Sequence, residues 1–232
     1  MRRVMTLYES SIGKKVAMAV SGLLLVGFVV GHMLGNLKAF QPWDGVGMHP
    51  LDAYGEYLRT LGYPVLPEYG LLWGVRLALL LAIGVHITAA FQLWRQSRSA
   101  RSSSYGKARP QVFSYASRTM RWGGVIILFF VVYHLLHMTA GTVHPDFEYG
   151  AVYQNLVAGF QSPLIVAVYL IAVGALSLHL YHGIWSVFAT LGAQNPKVER
   201  WRRPVAALVS GGLFVGYAAV PLAVLAGILG PL

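Results

Sequence analysis

The sequence predicts an all-α integral membrane protein, a bundle of five transmembrane helices. Three observations carry that expectation. Of 232 residues, 56% are hydrophobic and only 11% are charged, so most of the chain cannot serve as the water-exposed shell of a soluble core. Apolar stretches recur at 16–37, 70–94, 122–143, 163–191 and 205–229, each at or above the roughly 20 residues that cross about 30 Å of hydrocarbon. The longest connections, 38–69 and 95–121, are too short to carry a soluble domain comfortably, so residues 1–232 are expected to form a single membrane domain.

The first span follows Arg2, Arg3, Lys14 and Lys15 in the manner of a signal peptide. Its apolar run is too long for one and no small-residue cleavage site follows, so it reads as a retained helix. The second span holds Arg76, the only Lys or Arg within any of the five stretches, and the third opens on Gly123–Gly124. The fourth begins at Pro163 and the fifth contains Pro221, the only prolines in or at the start of a span.

Basic residues set the orientation. Four stand at the amino end, seven in 95–121 (Arg95, Arg98, Arg101, Lys107, Arg109, Arg118, Arg121) and four in 192–204, whereas the alternate connections hold Lys38 and Arg59 against Asp44, Asp52, Glu56, Glu68, Asp146 and Glu148. The basic connections are expected to face the cytoplasm, giving an N-in, C-out topology. The net charge of +10 then describes a basic cytoplasmic face suited to anionic lipid or an acidic protein partner, and no other feature points to nucleic acid.

Cysteine is absent, which removes disulfides, thiolate iron–sulfur ligation and the covalent attachment of a c-type haem. No Gly-rich phosphate loop and no H-E-x-x-H zinc helix is found. The chemistry therefore falls to histidine. At 1.5 Å per residue, His32 and His134 lie about 8 Å and about 10–14 Å from the outer ends of the first and third spans. His86 and His179 lie about 24 Å from the outer face along the second and fourth. Each layer offers one imidazole from each of two helices, the arrangement for bis-histidine ligation of a haem iron, so two stacked b-type haems are expected. Ionisable groups in hydrocarbon are costly and point to function by default.

His137 and His182 stand three residues beyond His134 and His179, on nearly the same helical faces, and by spacing alone either could replace its neighbour as ligand. They read as neighbours of haem or as quinone contacts. His49 and His144 read as solvated loop histidines. Gly22, Gly27, Gly31 and Gly35 would let a flat ring approach the first helix, or serve ordinary helix packing. Arg76 suits a propionate of the outer haem, and Arg118 and Arg121 those of the inner one, with snorkelling as the plainer role for Arg76.

These residues resemble the cytochrome b membrane-anchor subunits of succinate:quinone oxidoreductases and quinol:fumarate reductases, in their five-helix, two-haem form. The resemblance rests on Ser10-Ser11-Ile12-Gly13-Lys14-Lys15, Ser21-Gly22, Gly31-His32, Tyr133-His134 and, most specifically, His179-Leu180-Tyr181-His182-Gly183-Ile184-Trp185-Ser186 with Thr190-Leu191-Gly192. It implies that His32 and His134 bind the distal haem and His86 and His179 the proximal one. It also implies a bacterial cytoplasmic membrane and a complex with a flavoprotein carrying FAD and an iron–sulfur subunit, docked on the basic face, with room for a higher oligomer. Electrons would reach a quinone, menaquinone or ubiquinone, with Glu56, His137 and Arg76 as contacts near the distal haem, or Ser21, Lys15 and Trp122 near the inner face. Some members carry a glutamate near the fourth-helix ligand; here Ser177 stands two before His179, and none of the five stretches contains Asp or Glu. Menaquinone reduction is then expected to draw on the membrane potential. The alternatives are a di-haem anchor of another quinone-linked complex, such as a hydrogenase or formate dehydrogenase, and a haem-free transporter relaying protons through its histidines.

Overall fold

The structure is a computed structural model that describes residues 10–99, 115–193 and 195–232, with side chains from Met120 onward in the middle segment. Arg2, Arg3, Arg101, Lys107, Arg109 and the side chain of Arg118 lie outside the described residues. Seven α-helices and no strand are found among the described residues: α1 (Ser11–Asn36), α2 (Pro50–Thr60), α3 (Gly70–Ser99), α4 (Tyr115–Met138), α5 (Val152–Phe160), α6 (Pro163–Thr190) and α7 (Pro196–Leu225). Five of them, α1, α3, α4, α6 and α7, are long and apolar enough to cross a membrane.

Capping chemistry moves several ends away from the limits of the apolar runs. α1 starts at Ser11 because the Ser10 side chain accepts from the amide of Gly13 at 3.0 Å, so the Ser-Ser-Ile-Gly string is a helix N-cap. α7 begins at Pro196, nine residues before the expected start, where Asn195 accepts from the Val198 amide at 2.9 Å; it also takes Pro204 into its interior. α4 ends at Met138 rather than at 143. Gly141 adopts φ +72°, and the amides of Thr139 and Ala140 both return to the Leu135 carbonyl, a left-handed stop that hydropathy does not register. α3 runs on to Ser99 and α4 reaches back to Tyr115, so Arg95, Arg98 and Arg121, expected in a loop, extend from helical turns.

Two short helices occupy connections expected to be plain loops. α2 carries an Asp52 and Arg59 arrangement suited to the helix dipole. In α5, Tyr153, Asn155, Leu156, Val157, Gly159 and Phe160 are all buried. They pack with Ala39, Leu51, Val166, Tyr169, Val220, Ala223, Val224 and Leu229 into a core at the end of the bundle that bears the acidic connections. A second core of Leu180, Ile184, Ala206 and Leu213 joins α6 to α7 toward the basic end, with Val26, Val30 and Met33 of α1 against it.

The spans do not pack evenly. α1 lies along α3, and α6 lies along both α4 and α7, while α1 touches α6 and α7 less extensively. No extensive backbone contact joins α1 to α4 or α3 to α6. Each pair of helices that carries a pair of matched histidines is thus bridged by side chains rather than by close backbone packing.

Candidate functional site

Helix bounds place the four histidines in register. His32 and His134 each stand four residues before the end of α1 and α4, and His86 and His179 each stand sixteen residues after the start of α3 and α6. With the corrected end of α4, both members of the first pair lie about 6 Å from the acidic end of their helices. His134 was expected at about 10–14 Å; the shorter helix brings it level with His32.

The rings meet across the bundle. His32 and His134 have ring centroids 5.8 Å apart at an interplanar angle of 78°, and His86 and His179 are 6.2 Å apart at 59°. Two metal–nitrogen bonds of about 2 Å each, plus the half-widths of two imidazoles, also span about 6 Å. Among the described residues no three His, Cys, Asp or Glu side chains converge on one point that could hold a bare ion. Two-ligand pairs of this kind suit a metal whose other donors come from a macrocycle.

Hydrogen bonds choose the ring atoms. His86 Nδ1 lies 3.1 Å from the Met18 carbonyl of α1 and 3.4 Å from the Ser21 hydroxyl. A carbonyl only accepts, so Nδ1 carries the proton and Nε2 keeps its lone pair for a ligand. Ser21 donates to the Ala17 carbonyl at 2.7 Å. His134 Nδ1 lies 3.2 Å from the hydroxyl of Tyr169. His179 Nδ1 is buried and makes no hydrogen bond of ordinary geometry among the described residues, while the Met120 backbone lies close enough to act on the ring electrostatically. Small residues make room. A Cβ on Gly22 would stand 3.2 Å from His86 Cε1, and one on Gly124 3.6 Å from His179 Cε1, while positions over Gly27 and Gly31 meet nothing within 4 Å. Gly35, expected to join them, packs against Tyr54 instead. The donor set, the His86 tautomer and these openings fit bis-histidine haem at both pairs.

His137 has neighbours unlike those of His134, the residue it competes with by spacing. It is fully buried, stacks on Tyr133 and on His144, with centroids 5.4 Å and 4.9 Å away, and no ring contact joins it to His32, which His134 meets. His182 sits edge-on to Trp185 at 5.3 Å with its Nδ1 buried and unpartnered, and His179 rather than His182 faces His86.

The expected quinone contacts each have a partner of their own. Glu56 pairs with Arg59 at 3.1 Å, Arg76 lies over the Trp73 ring at 5.0 Å, and His137 bonds to Tyr169 at 2.9 Å. Lys15 and Trp122 are exposed. Arg121 lines an open groove of about 580 Å³ with Met18, Ala90, Leu93, Trp94, Ser97 and Arg98, beside the residue whose carbonyl holds His86. Ser177 donates to the Ser210 carbonyl of α7 at 2.8 Å, a structural use.

His49 and His144 correct the expectation of solvated loop histidines, since both are buried. His49 caps α2 by accepting from the Leu51 amide at 3.1 Å and stacks on Tyr153 at 3.8 Å. Burial holds its pKa below the ordinary value, with the Asp52 carboxylate opposing the shift. His144 Nδ1 accepts from the Asp146 amide at 3.1 Å while Nε2 donates to the Asn155 carbonyl at 2.8 Å. Tyr169 carried one available signal, its polar tip within an apolar span, because a buried phenol usually finds a partner; spacing alone did not single it out.

The fold and the site together define a five-span membrane protein that presents paired imidazoles at two depths. Residues 95–220, more than half of the chain, match the model of the succinate dehydrogenase/fumarate reductase transmembrane subunit. The chain belongs to that family, and with it to the membrane part of an oxidoreductase complex. Comparisons with curated proteins and with solved structures returned no match.

Proposed function

We propose that this subunit links an iron–sulfur partner to a membrane quinone through two b-type haems, held by His32 with His134 and by His86 with His179. The observation that carries it is the pair of cross-helix imidazole contacts, at 5.8 Å and 6.2 Å. Haem, when bound, supplies one-electron carriage between the partner and the quinone. The chain's part is to hold four neutral imidazoles on rigid helices and to keep them out of water. The basic end, with Arg98 and Arg121 on its groove, faces the cytoplasm and the iron–sulfur and flavoprotein subunits, which house the clusters and the FAD and act on succinate. The pair near the acidic end then lies toward the outer surface, where menaquinone is the expected acceptor.

Pyridine-haem quantitation and reduced-minus-oxidised spectra of the purified complex test this. Two b haems per chain are expected in the parent, with a different one lost in His32→Ala and in His86→Ala. A parent without haem, or a single haem that survives both substitutions, overturns it and favours proton relay by intramembrane histidines.

A further inference from the structure

Tyr169 joins two histidines that stand one turn apart on α4. Its hydroxyl lies 3.2 Å from Nδ1 of His134 and 2.9 Å from Nδ1 of His137, and its ring packs edge-on against Phe130 and Phe160 at 4.9 Å and 4.8 Å. The residue is 6% exposed, and its rotamer is held by the aromatic packing.

We propose that Tyr169 is a positioning residue for the acidic-end pair, accepting a hydrogen bond from His134 and thereby fixing the ring angle and donor strength of that imidazole. The inference rests on the haem assignment above. A phenol has one proton to give and accepts on oxygen. If Nε2 of His134 is the ligand atom, its Nδ1 carries the proton and donates to the Tyr169 oxygen. The Tyr169 proton is then free for one acceptor, and Nδ1 of His137 is the only other partner in reach among the described residues. His137 must in turn carry its proton on Nε2, the atom that is buried with no partner. One choice at His134 therefore sets every proton along the chain, in a single direction from ligand to His137.

The far end is also held in place. His137 is fully buried and stacks on His144, which is pinned between the Asp146 amide and the Asn155 carbonyl. A Cβ on Gly159 would stand 3.0 Å from His137 Cε1 and 3.1 Å from His144 Nε2, so α5 closes directly onto both rings. The helix across the acidic end thus fixes His137, His137 fixes the Tyr169 hydroxyl, and the hydroxyl fixes His134. The other pair has a different anchor, the Met18 carbonyl on His86, so a change at Tyr169 should leave it alone. An acceptor on Nδ1–H makes an imidazole a stronger donor, which favours the ferric state.

The test is a redox titration of each haem in the intact complex, with low-temperature electron paramagnetic resonance of the oxidised protein, for the parent, Tyr169→Phe and His137→Phe. Tyr169→Phe removes one oxygen and keeps the packing. The expected result is retention of both haems, with the acidic-end haem shifted about tenfold toward its reduced state, a rise of about 59 mV for one electron. Its low-spin g values change while those of the other haem do not. His137→Phe is expected to move the same haem in the same direction by less. Unchanged potential and g values in Tyr169→Phe, or equal shifts in both haems, overturn the proposal. Should Tyr169→Phe fail to assemble, an unmoved acidic-end haem in His137→Phe overturns it. A parent complex that binds no haem would instead overturn the cofactor assignment, and this inference with it.

Discussion

Gly22→Val tests whether His86 is held where ligation requires it. An ideal Cβ on Gly22 stands 3.2 Å from Cε1 of His86 and 3.4 Å from its Nδ1, against a comfortable separation of about 3.5–4.0 Å between carbon atoms. Alanine asks the ring to yield by a few tenths of an ångström and gains about 1 kcal/mol of helix propensity, so Gly22→Ala should keep both haems. Valine adds two methyl groups beyond that Cβ on a side chain with one strongly preferred rotamer in a helix. Overpacking of this kind costs about 1–3 kcal/mol and is relieved by moving the softer partner, here the imidazole, by about 1 Å. Nδ1 of His86 starts 3.1 Å from the Met18 carbonyl; a further ångström takes it beyond the roughly 3.2 Å limit of such a bond. Loss of a hydrogen bond to a ligand imidazole lowers affinity for the bound metal group by about 10–100-fold, or about 1.4–2.8 kcal/mol. In pyridine-haem assays of the purified complex, Gly22→Val should hold close to one haem per chain, and difference spectra should show the His32–His134 component intact. Gly74→Val is the control, because a Cβ there meets nothing within 4 Å, and it should hold two. A Gly22→Val complex with two haems and parental spectra would refute the placement of His86.

Three further outcomes follow from the same geometry. Asn155 receives the Glu148 amide at 2.8 Å and gives its own amide to the Glu148 carbonyl at 2.6 Å; Asn155→Ala strands both groups and should cost about 2 kcal/mol, seen as a lower melting temperature of the solubilised complex with haem content unchanged. Ser177→Ala loses one bond to the Ser210 carbonyl, so a loss of about 1 kcal/mol with parental haem spectra is expected; a shifted haem potential would show that Ser177 does more than join α6 to α7. His49 is held below its ordinary pKa by burial, against the opposing Asp52 charge. The unfolded chain then binds the proton more readily, so this contribution is complete above about pH 6.5 and is lost as pH falls below it. Hydrogen exchange in α2, corrected for intrinsic rates, should therefore rise on acidification to about pH 5.5 in the parent and not in His49→Asn, which keeps a capping side chain without a titrating one.

The spans were legible because hydrocarbon demands a continuous apolar run, and a run of that length leaves helix as the one economical choice. The histidine pairs were legible for the same reason: once the helices are counted, rise per residue converts position into depth. What hydropathy cannot see is the chemistry that ends a helix. Ser10, Asn195 and the left-handed Gly141 decide where α1, α7 and α4 stop or start, and each moved an expected boundary by about five to nine residues. Nor can it see which polar atoms meet across the chain. His49 finds Tyr153, and Tyr169 finds His134, over separations with no sequence period. Both connecting helices were missed for this reason: α2 and α5 are short, and the burial of α5 comes from neighbours in α6 and α7 rather than from a pattern of its own.

The two histidine pairs stand in unlike surroundings, and the difference bears on how each can be tuned. At the acidic end, α2, α5 and the segment through Gly230 close over the bundle, Tyr153 tying them together through Asp52 and the Gly230 carbonyl. Three buried polar side chains there, His49, His144 and Asn155, each hold partners within this chain, and Nε2 of His137 is the one buried polar side-chain atom there without a partner among the described residues, so the setting of the His32–His134 pair is written largely by the subunit itself. Toward the basic end, buried atoms of His179, His182, Trp185 and Arg202 carry no hydrogen-bond partner among the described residues, and the groove beside Met18 opens between Arg98 and Arg121. Those atoms are out of a partner's reach, but the groove is open, and its two guanidinium groups suit acidic side chains from outside the chain. In the proposed orientation that is the face on which the iron–sulfur subunit docks. Under the proposed function, the pair that would receive electrons first is therefore the one nearer the partner, and the acidic-end pair is the one buffered from it. Substitutions at the docking face, Arg121→Gln among them, should accordingly disturb the His86–His179 haem in the assembled complex and leave the His32–His134 haem at its parental potential.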